Sequence, residues 1–354
     1  MSFEETFAPV PICAGAPQVG PPEVQAVMDL GWAWWGSGVV RAAAMLRIAD
    51  AVGDEPADVA DIAEQVGVDR DALARLMRAL VAYRIFRQTA PGRYEHTAGS
   101  RALRSDHPSR VLDIMLTGST WSWEMWNLLP ESVRTGEAAF QKRYGKDLIR
   151  FFAEDDPEAG KLTHRGYSAQ AGALNPKLVD ALDVTGVRTV VDVGGGFGTL
   201  LRAVLERHPQ LNGVLYDTEN ILANADPVLR EGPIAARCRR VAGDCTDSVP
   251  ADADLYLFRQ VLHMWDDDTC VRVLSNCAKA GQPNGRVVLY EHLVSDPPEN
   301  PFDALMDLHM LLVMGGRERS QQEYADLFER AGLRFKAVTP TGTPLRIVEA
   351  VIPA

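Results

Sequence analysis

The second half of the chain alternates short apolar runs with amphipathic segments. Between the apolar runs, apolar residues recur at helical spacing, as in Leu200, Leu201, Val204 and Leu205. Strands that alternate with helices predict a parallel, doubly wound sheet whose ligands bind at the carboxyl ends of the strands. We therefore predict an α/β domain over residues 181–354, with strands near residues 188–193, 212–216, 238–242, 252–258, 285–291 and 333–338.

Residues 1–107 are predicted to form a separate N-terminal domain, in which helical periodicity begins near Pro22. Residues 1 to about 20 are rich in Pro, Gly and Ala, which predicts an extended or mobile arm. Residues 22–50 carry large apolar side chains at helical spacing, Trp34 and Trp35 among them. Their density is higher than one amphipathic helix in a small domain can easily bury, which indicates a subunit interface.

The pattern of residues 57–98 is typical of a winged helix. A helix over 57–65 and a second one, capped by Asp69 and ending near Tyr83, precede a hairpin of 85–87 and 93–95. The second helix carries three arginines that either contact DNA or stay solvated and paired on a protein-interaction scaffold; they are Arg70, Arg75 and Arg78. The formal net charge of −12 disfavours nucleic acid or anionic membrane as the main partner, so we favour the scaffold.

Residues 108–180 predict a helical connector that contains Trp121, Trp123 and Trp126. Tryptophans at this density are more typical of a core or an interface than of ligand contacts. The five cysteines form no CxxC pair and are odd in number, which favours reduced thiols. The apolar stretch 30–40 is too short to cross a bilayer, and acidic residues stand where a secretory signal carries basic ones. We expect a cytoplasmic protein.

One predicted strand runs directly into a glycine-rich turn. Gly194, Gly196 and Gly198 let the backbone approach a ligand closely, and the helix that follows directs its first amides at that ligand. Asp217 ends the next strand, where a carboxylate can accept both ribose hydroxyls of a nucleoside. The dinucleotide pattern of three glycines is incomplete, because Thr199 occupies the third position.

Six segments, in order along the chain, resemble one known family. Together they are similar to the class I S-adenosylmethionine-dependent O-methyltransferases that act on small molecules, including plant caffeate-type and bacterial antibiotic-tailoring enzymes. The N-terminal part also matches. The segments are DVGGGFG at 192–198, YD at 216–217, GD at 243–244, FRQVLHMWDDD at 258–268, YEH at 290–292 and GGRERS at 315–320.

The resemblance implies the fold and the partners. It implies a C-terminal Rossmann-like, doubly wound catalytic domain and an N-terminal all-helical winged-helix domain, without DNA binding, through which a homodimer forms. The connector would form one wall of the substrate pocket. S-adenosylmethionine would be the cofactor, S-adenosylhomocysteine its product and a small aromatic molecule the acceptor.

We assign the cofactor to the loop and the strand ends. The amino-acid end is assigned to the glycine loop, the ribose to Asp217 and the adenine to the end of the third strand. Arg259 takes the position of a basic residue that lies along the cofactor in relatives, although it could also be a surface charge. The full predicted set is Asp192, Gly194, Gly196, Gly198, Asp217, Thr218, Asp244, Cys245 and Arg259.

The proposed chemistry needs a base, because a free phenol with a pKa of about 10 is mostly protonated at neutral pH. The resemblance places that base at His263 and two orienting acids at Glu291 and Glu318. The alternatives are a core histidine and surface salt bridges, since Glu318 lies between Arg317 and Arg319.

The resemblance also predicts which residues contact the acceptor, although this chain differs from the family's pattern at two places. Met264 follows the histidine where many relatives have an acid, and LTHRGYS at 162–168 replaces the family's Phe-x-x-x-Met-x-x-x-Ser pattern. A methionine at helical spacing is also often a core residue. The predicted acceptor contacts are Tyr167, Trp265, His309, Met310 and Met314.

Three functional classes follow. The leading one is O-methylation of a phenolic or enolic hydroxyl of a small aromatic or polyketide-type secondary metabolite. The second keeps the cofactor but catalyses decarboxylation, hydroxylation or another step, and the third is a winged-helix regulator that senses the cofactor. No metal is needed, since the acids at 266–268 lie at a predicted helix N-terminus, where the backbone dipole favours them.

Overall fold

The computed structural model describes residues 11, 14–117 and 121–354, which fall into two compact units, Met1–Trp121 and Ser122–Ala354. Cys13 and most of the predicted arm lie outside the described residues. Most of the predicted helical connector belongs to the second unit.

The first unit is mainly helical, with one small sheet of order β1-β3-β2. Asp69 caps α4 as predicted, since its carboxylate accepts the amide of Ala72 at 2.8 Å. The elements are α1 Pro22–Met45, α2 Ile48–Ala51, β1 Ala57–Asp58, α3 Val59–Val66, α4 Arg70–Ala82, β2 Phe86–Ala90, β3 Arg93–His96, α5 Ala98–Ala102 and α6 Val111–Thr117.

The third helix of this unit begins later than predicted. Residues 57–58 pair antiparallel with the wing strand β3, and Asp58 then caps the helix by accepting the amide of Ala60. The predicted hairpin is present as β2 and β3. The unit also leaves apolar side chains exposed on α1, where Leu30 is 79% exposed and Trp34 58% exposed.

The second unit contains the large sheet. Its elements are α7 Trp123–Asn127, α8 Leu129–Thr135, α9 Ala139–Tyr144, α10 Leu148–Glu154, α11 Pro157–Asp180, β4 Thr189–Val193, α12 Thr199–Arg207, β5 Asn212–Asp217, α13 Glu219–Leu222, β6 Cys238–Ala242, β7 Leu255–Arg259, α14 Asp267–Ala280, β8 Arg286–Glu291, α15 Pro301–Val313, α16 Gln321–Arg330, β9 Arg334–Pro340 and β10 Arg346–Val351.

The sheet has the order β6-β5-β4-β7-β8-β10-β9, and β4, β5, β6, β7 and β8 run parallel. The chain leaves β4 first towards β5 and later returns on the other side as β7. Ligands of such sheets bind where the strand order reverses, outside the carboxyl ends. The doubly wound α/β prediction is confirmed.

One strand of the large sheet, β10, was not predicted from the sequence. Strand β10 lies antiparallel between β8 and β9, and the predicted sheet had neither this strand nor any antiparallel pair. Its apolar run is interrupted by Glu349, which is nevertheless only 7% exposed. That carboxylate accepts from Arg286 at 2.9 Å and from Lys336 at 3.1 Å. The charge is therefore neutralised by partners that are distant in sequence.

Both faces of the large sheet are covered. Val191 and Val193 of β4 pack on the face that α14 and α16 cover, whereas Val190 packs on the face covered by α12 and the end of α11. The described cysteines are unpaired thiols, as predicted; they are Cys238, Cys245, Cys270 and Cys277. Among the helices that the structure describes, none combines the length and apolar character needed to cross a bilayer.

Candidate active site

The glycine loop after β4 requires its glycines. Gly194, Gly196 and Gly198 have φ values of +64°, +58° and +82°, which side-chain-bearing residues rarely adopt. A Cβ on Gly195 would lie 2.6 Å from the Leu215 side chain. A Cβ on Gly196 would meet nothing within 4 Å, so the loop backbone is open on that side to a ligand.

Two acids border this loop from neighbouring strands. Asp217 accepts the Gly196 amide with Oδ2 at 2.9 Å and the Thr218 amide with Oδ1 at 2.7 Å. Asp192 is 1% exposed, and its Oδ2 has no hydrogen-bond partner within the described part of the chain. Burial raises the pKa of Asp192 to about 7. Buried oxygens without a hydrogen-bond partner are rare in folded proteins, and this one lies next to the glycine loop.

Three further predicted cofactor residues lie just after β6 or at the end of β7. Asp244 closes a local turn by accepting the amide of Thr246 at 2.8 Å, and burial raises the pKa of the adjacent Cys245 thiol to about 12. Arg259 is not a free surface charge. Its guanidinium donates to the carbonyl oxygen of Ala171 at 3.2 Å and to the side chain of Asn175, both on α11, and burial lowers its pKa to about 10.

The structure brings the three predicted catalytic side chains together. His263 lies on a short 3₁₀ turn after β7, and its Nδ1 is 2.7 Å from Oε1 of Glu318 and 4.0 Å from Oε2 of Glu291. The three residues are 6%, 3% and 0% exposed. The interpretation of these acids as surface salt bridges is therefore wrong.

The side chains of this cluster change the pKa values of His263 and Glu291. Burial alone would lower the pKa of His263, but the carboxylates of Glu291 and Glu318 outweigh burial and raise it. Burial raises the pKa of Glu291 to about 7. Glu291 also accepts the amides of Val261 at 3.2 Å and Leu262 at 3.1 Å, which ties the His263 turn to the end of β8.

The same three side chains offer possible metal ligands, all within 4.8 Å of one another. Two ligands of a tetrahedral zinc ion with bonds of about 2.0–2.1 Å lie about 3.3 Å apart. Nδ1 of His263 and Oε1 of Glu318 are closer, at 2.7 Å, which is a hydrogen-bond distance.

The acids at 266–268 lie at the N-terminus of α14. Asp266 caps this helix by accepting the Thr269 amide, as the capping interpretation of residues 266–268 predicts.

The predicted acceptor contacts differ in exposure. His309 on α15 is half-buried and nearly parallel to the Trp126 ring, with ring centroids 6.5 Å apart and an interplanar angle of 17°. Burial, and to a smaller extent the charge of His263, lowers the pKa of His309 to about 4. Met310 is buried, whereas Tyr167 on α11 is 52% exposed. The remaining two contacts, Trp265 and Met314, are half-buried.

Sequence reasoning missed two residues that shape the site. Asp307 accepts the Glu318 amide at 2.9 Å and so fixes the backbone of the acid that contacts the histidine. A Cβ on Gly316 would lie 2.0 Å from the carbonyl oxygen of His263, so the loop before α16 approaches the histidine turn backbone to backbone. Gly316 lies in the GGRERS segment, but the sequence does not reveal what this glycine contacts.

Comparison with known proteins covers both units. The family profile of the O-methyltransferase domain matches residues 126–334, and that of the O-methyltransferase dimerisation domain matches residues 28–106. A phenazine O-methyltransferase from Lysobacter antibioticus is 32% identical over 90% of this chain and 93% of its own length. A phenazine-1-carboxylate N-methyltransferase from Pseudomonas aeruginosa is 31% identical over 89% of this chain and 93% of its own length.

One solved structure adds information on ligands. It is an O-methyltransferase from neocarzinostatin biosynthesis in complex with S-adenosylmethionine and 2-hydroxy-5-methyl naphthoic acid. The match has a TM-score of 0.77 and 32% identity, over 89% of this chain and 95% of the other.

Proposed function

The chain belongs to the S-adenosylmethionine-dependent O-methyltransferases, and on this premise we propose that it methylates a hydroxyl of a small, flat aromatic acceptor with His263 as general base. The observation that carries this proposal is the buried contact between His263 Nδ1 and Glu318 at 2.7 Å. A histidine held by a carboxylate on one nitrogen can accept a proton on the other.

S-adenosylmethionine is the cofactor, and the residues around the glycine loop fit it. The open backbone at Gly196 can receive the amino-acid end, and the Asp217 carboxylate can receive the ribose hydroxyls. Asp244 and Cys245, at the end of the neighbouring strand, would face the adenine. Bound S-adenosylmethionine supplies an electrophilic methyl group and is converted to S-adenosylhomocysteine.

The residues of the chain then handle one proton. The acceptor hydroxyl transfers its proton to Nε2 of His263 while its oxygen takes the methyl group. The resulting imidazolium is stabilised by Glu318 through Nδ1 and by the charge of Glu291, both buried. Positioning the acceptor oxygen against the methyl group supplies further rate enhancement.

The surroundings of the histidine support a flat aromatic acceptor. The Trp126 and His309 rings offer an apolar face, and the lowered pKa of His309 keeps this imidazole uncharged near neutral pH. Two relatives are named for phenazines, and the structural neighbour holds a naphthoic acid. We infer an acceptor with fused aromatic rings, bound in a homodimer that forms through the N-terminal unit.

A second candidate is methyl transfer to nitrogen, because one relative of similar identity is an N-methyltransferase. A third candidate is a reaction that uses the cofactor without methyl transfer, such as decarboxylation or hydroxylation. It is kept because residues 162–168 depart from the connector pattern of the family. The experiment that separates these functions is transfer of a labelled methyl group from S-adenosylmethionine to a panel of hydroxynaphthoates, hydroxyphenazines and their amino analogues. His263→Ala is compared with wild type, and cofactor binding is measured by calorimetry for both.

We expect wild type to transfer the label to a hydroxyl oxygen. We expect His263→Ala to lose this transfer while it binds the cofactor as tightly as wild type. Label on nitrogen, or equal transfer by His263→Ala, would contradict the proposed acceptor atom or the proposed base. Cofactor binding without transfer to any acceptor of the panel would count against methylation of fused-ring acceptors.

A further inference from the structure

The turn that carries His263 is held from two sides. On its amide side, Glu291 accepts the N–H groups of Val261 and Leu262. On its carbonyl side, Arg319 donates through Nη1 to the carbonyl oxygen of Leu262 at 3.2 Å and through Nη2 to that of Trp265 at 2.8 Å. These two carbonyl groups lie directly before and two residues after the histidine.

Arg319 is itself anchored. Its side chain is 0% exposed, and its Nε and Nη2 donate to Oδ1 of Asp267 at 2.9 Å and 2.8 Å. A buried guanidinium is costly unless its donors are satisfied. The planar fork of an arginine can serve two carbonyl groups and a carboxylate at once, which a lysine ammonium cannot do with the same geometry.

The segment that carries Arg319 also carries the acid that contacts the histidine. Glu318 accepts from His263 Nδ1, and the next residue binds the carbonyl groups around the histidine. Gly316 lets this segment approach the backbone of His263 closely. A shift of the turn relative to the segment would therefore change the distance between the imidazole and Glu318.

We propose that Arg319 is a positioning residue, which holds the backbone of residues 262–265 so that the His263 ring stays against Glu318. The inference rests on the proposed role of His263 as base. Arg319 acts through backbone carbonyl groups, and we assign it no contact with the cofactor or the reacting atoms.

A titration of His263 reports this geometry. The carboxylates of Glu291 and Glu318 and the backbone of Gln260 act directly on its ring and raise its pKa, and His309 on α15 responds to its charge. Further out lie Asp307 and Tyr324, which interact with these acids, and Cys270 and Asp267, which interact with Arg319.

The test is Arg319→Lys, which keeps the charge and removes the fork. The matched control is Arg317→Lys, the same change two residues earlier, on a side chain that is 47% exposed and pairs with Asp267 and Glu323. The full-length protein is labelled at its histidine rings, the His263 signal is assigned by its loss in His263→Ala, and its pKa is measured by NMR. The kcat, its pH profile and cofactor affinity are measured alongside.

We expect Arg319→Lys to lower the pKa of His263, to move the acid limb of the pH profile to lower pH and to lower kcat about 10- to 100-fold. Cofactor affinity should be unchanged, and Arg317→Lys should behave as wild type. The proposal would be overturned if Arg319→Lys left the pKa of His263 and the acid limb of the pH profile unaltered and reduced activity equally at every pH. So would an equal effect of Arg317→Lys.

Asp267→Asn provides a second route if Arg319→Lys does not fold. It removes the charge that anchors Arg319 from a side chain that is 40% exposed, and the same shift of the His263 pKa is expected. The NMR titration needs no turnover. It therefore tests the positioning role even if no acceptor is methylated, and failure of the proposed function is distinguishable from failure of this inference.

Discussion

Replacing Glu318 with glutamine is expected to weaken the candidate base in two measurable ways. Glutamine keeps the size of the side chain but removes the charge that His263 Nδ1 contacts at 2.7 Å. A hydrogen bond to a charged group contributes about 1.5–3 kcal/mol. Because the histidine gains its charge in the proposed reaction, the substitution removes this stabilisation from the transition state. At about 1.4 kcal/mol per tenfold, kcat falls about 10- to 150-fold.

The pH profile provides the second measurement. Although burial lowers the pKa of His263, the carboxylates of Glu291 and Glu318 raise it above the ordinary value. Losing the Glu318 charge therefore lowers this pKa. The acid limb of kcat/KM follows the base in the free enzyme, so the limb moves to lower pH in Glu318→Gln.

The assay is methyl transfer with saturating S-adenosylmethionine across a pH series. Glu323→Gln is the matched control, because Glu323 completes a capping box with Ser320, and glutamine can also complete such a box. Its kcat and acid limb should equal those of wild type. The reasoning about the base is refuted if Glu318→Gln keeps both the wild-type kcat and the wild-type acid limb.

Three further outcomes are expected. Asp217→Ala weakens S-adenosylmethionine binding at least about tenfold in calorimetry and leaves kcat at saturation largely intact, and an unchanged Kd would remove the ribose assignment. Gly316→Ala places a Cβ 2.0 Å from the His263 carbonyl oxygen and is expected to lower kcat about 10- to 100-fold. The control is Gly172→Ala, whose Cβ meets nothing within 4 Å and which should keep the wild-type kcat. Equal kcat values for the two variants would contradict this prediction. The raised pKa of His263 contributes stability below its unfolded pKa of about 6.5 that is lost as pH rises through the folded pKa. In urea unfolding, the stability advantage of wild type over Glu318→Gln should therefore shrink as pH rises, and an advantage that grows with pH would contradict this sign.

The sequence predicted those features whose physical cause lies within a few residues of the chain. The glycines of the loop after β4 need positive φ values at Gly194, Gly196 and Gly198, and that requirement shows directly in residue type. The capping acids Asp69 and Asp266 likewise act on amides three residues away. Strand β10 was missed because Glu349 interrupts its apolar run, and the ion pairs that allow its burial come from other strands.

The sequence by itself therefore determined the α/β class, the glycine loop after β4 and the family resemblance, because periodicity and backbone requirements are properties of neighbouring residues. Only the tertiary structure decided how the site is assembled. His263 and Glu318 are 55 residues apart in the chain, and their 2.7 Å contact depends on how β7 and the loop before α16 end at the same edge of the sheet. The burial that raises the pKa of Glu291, and the two carbonyl groups that Arg319 binds, likewise depend on packing between segments that are distant in sequence.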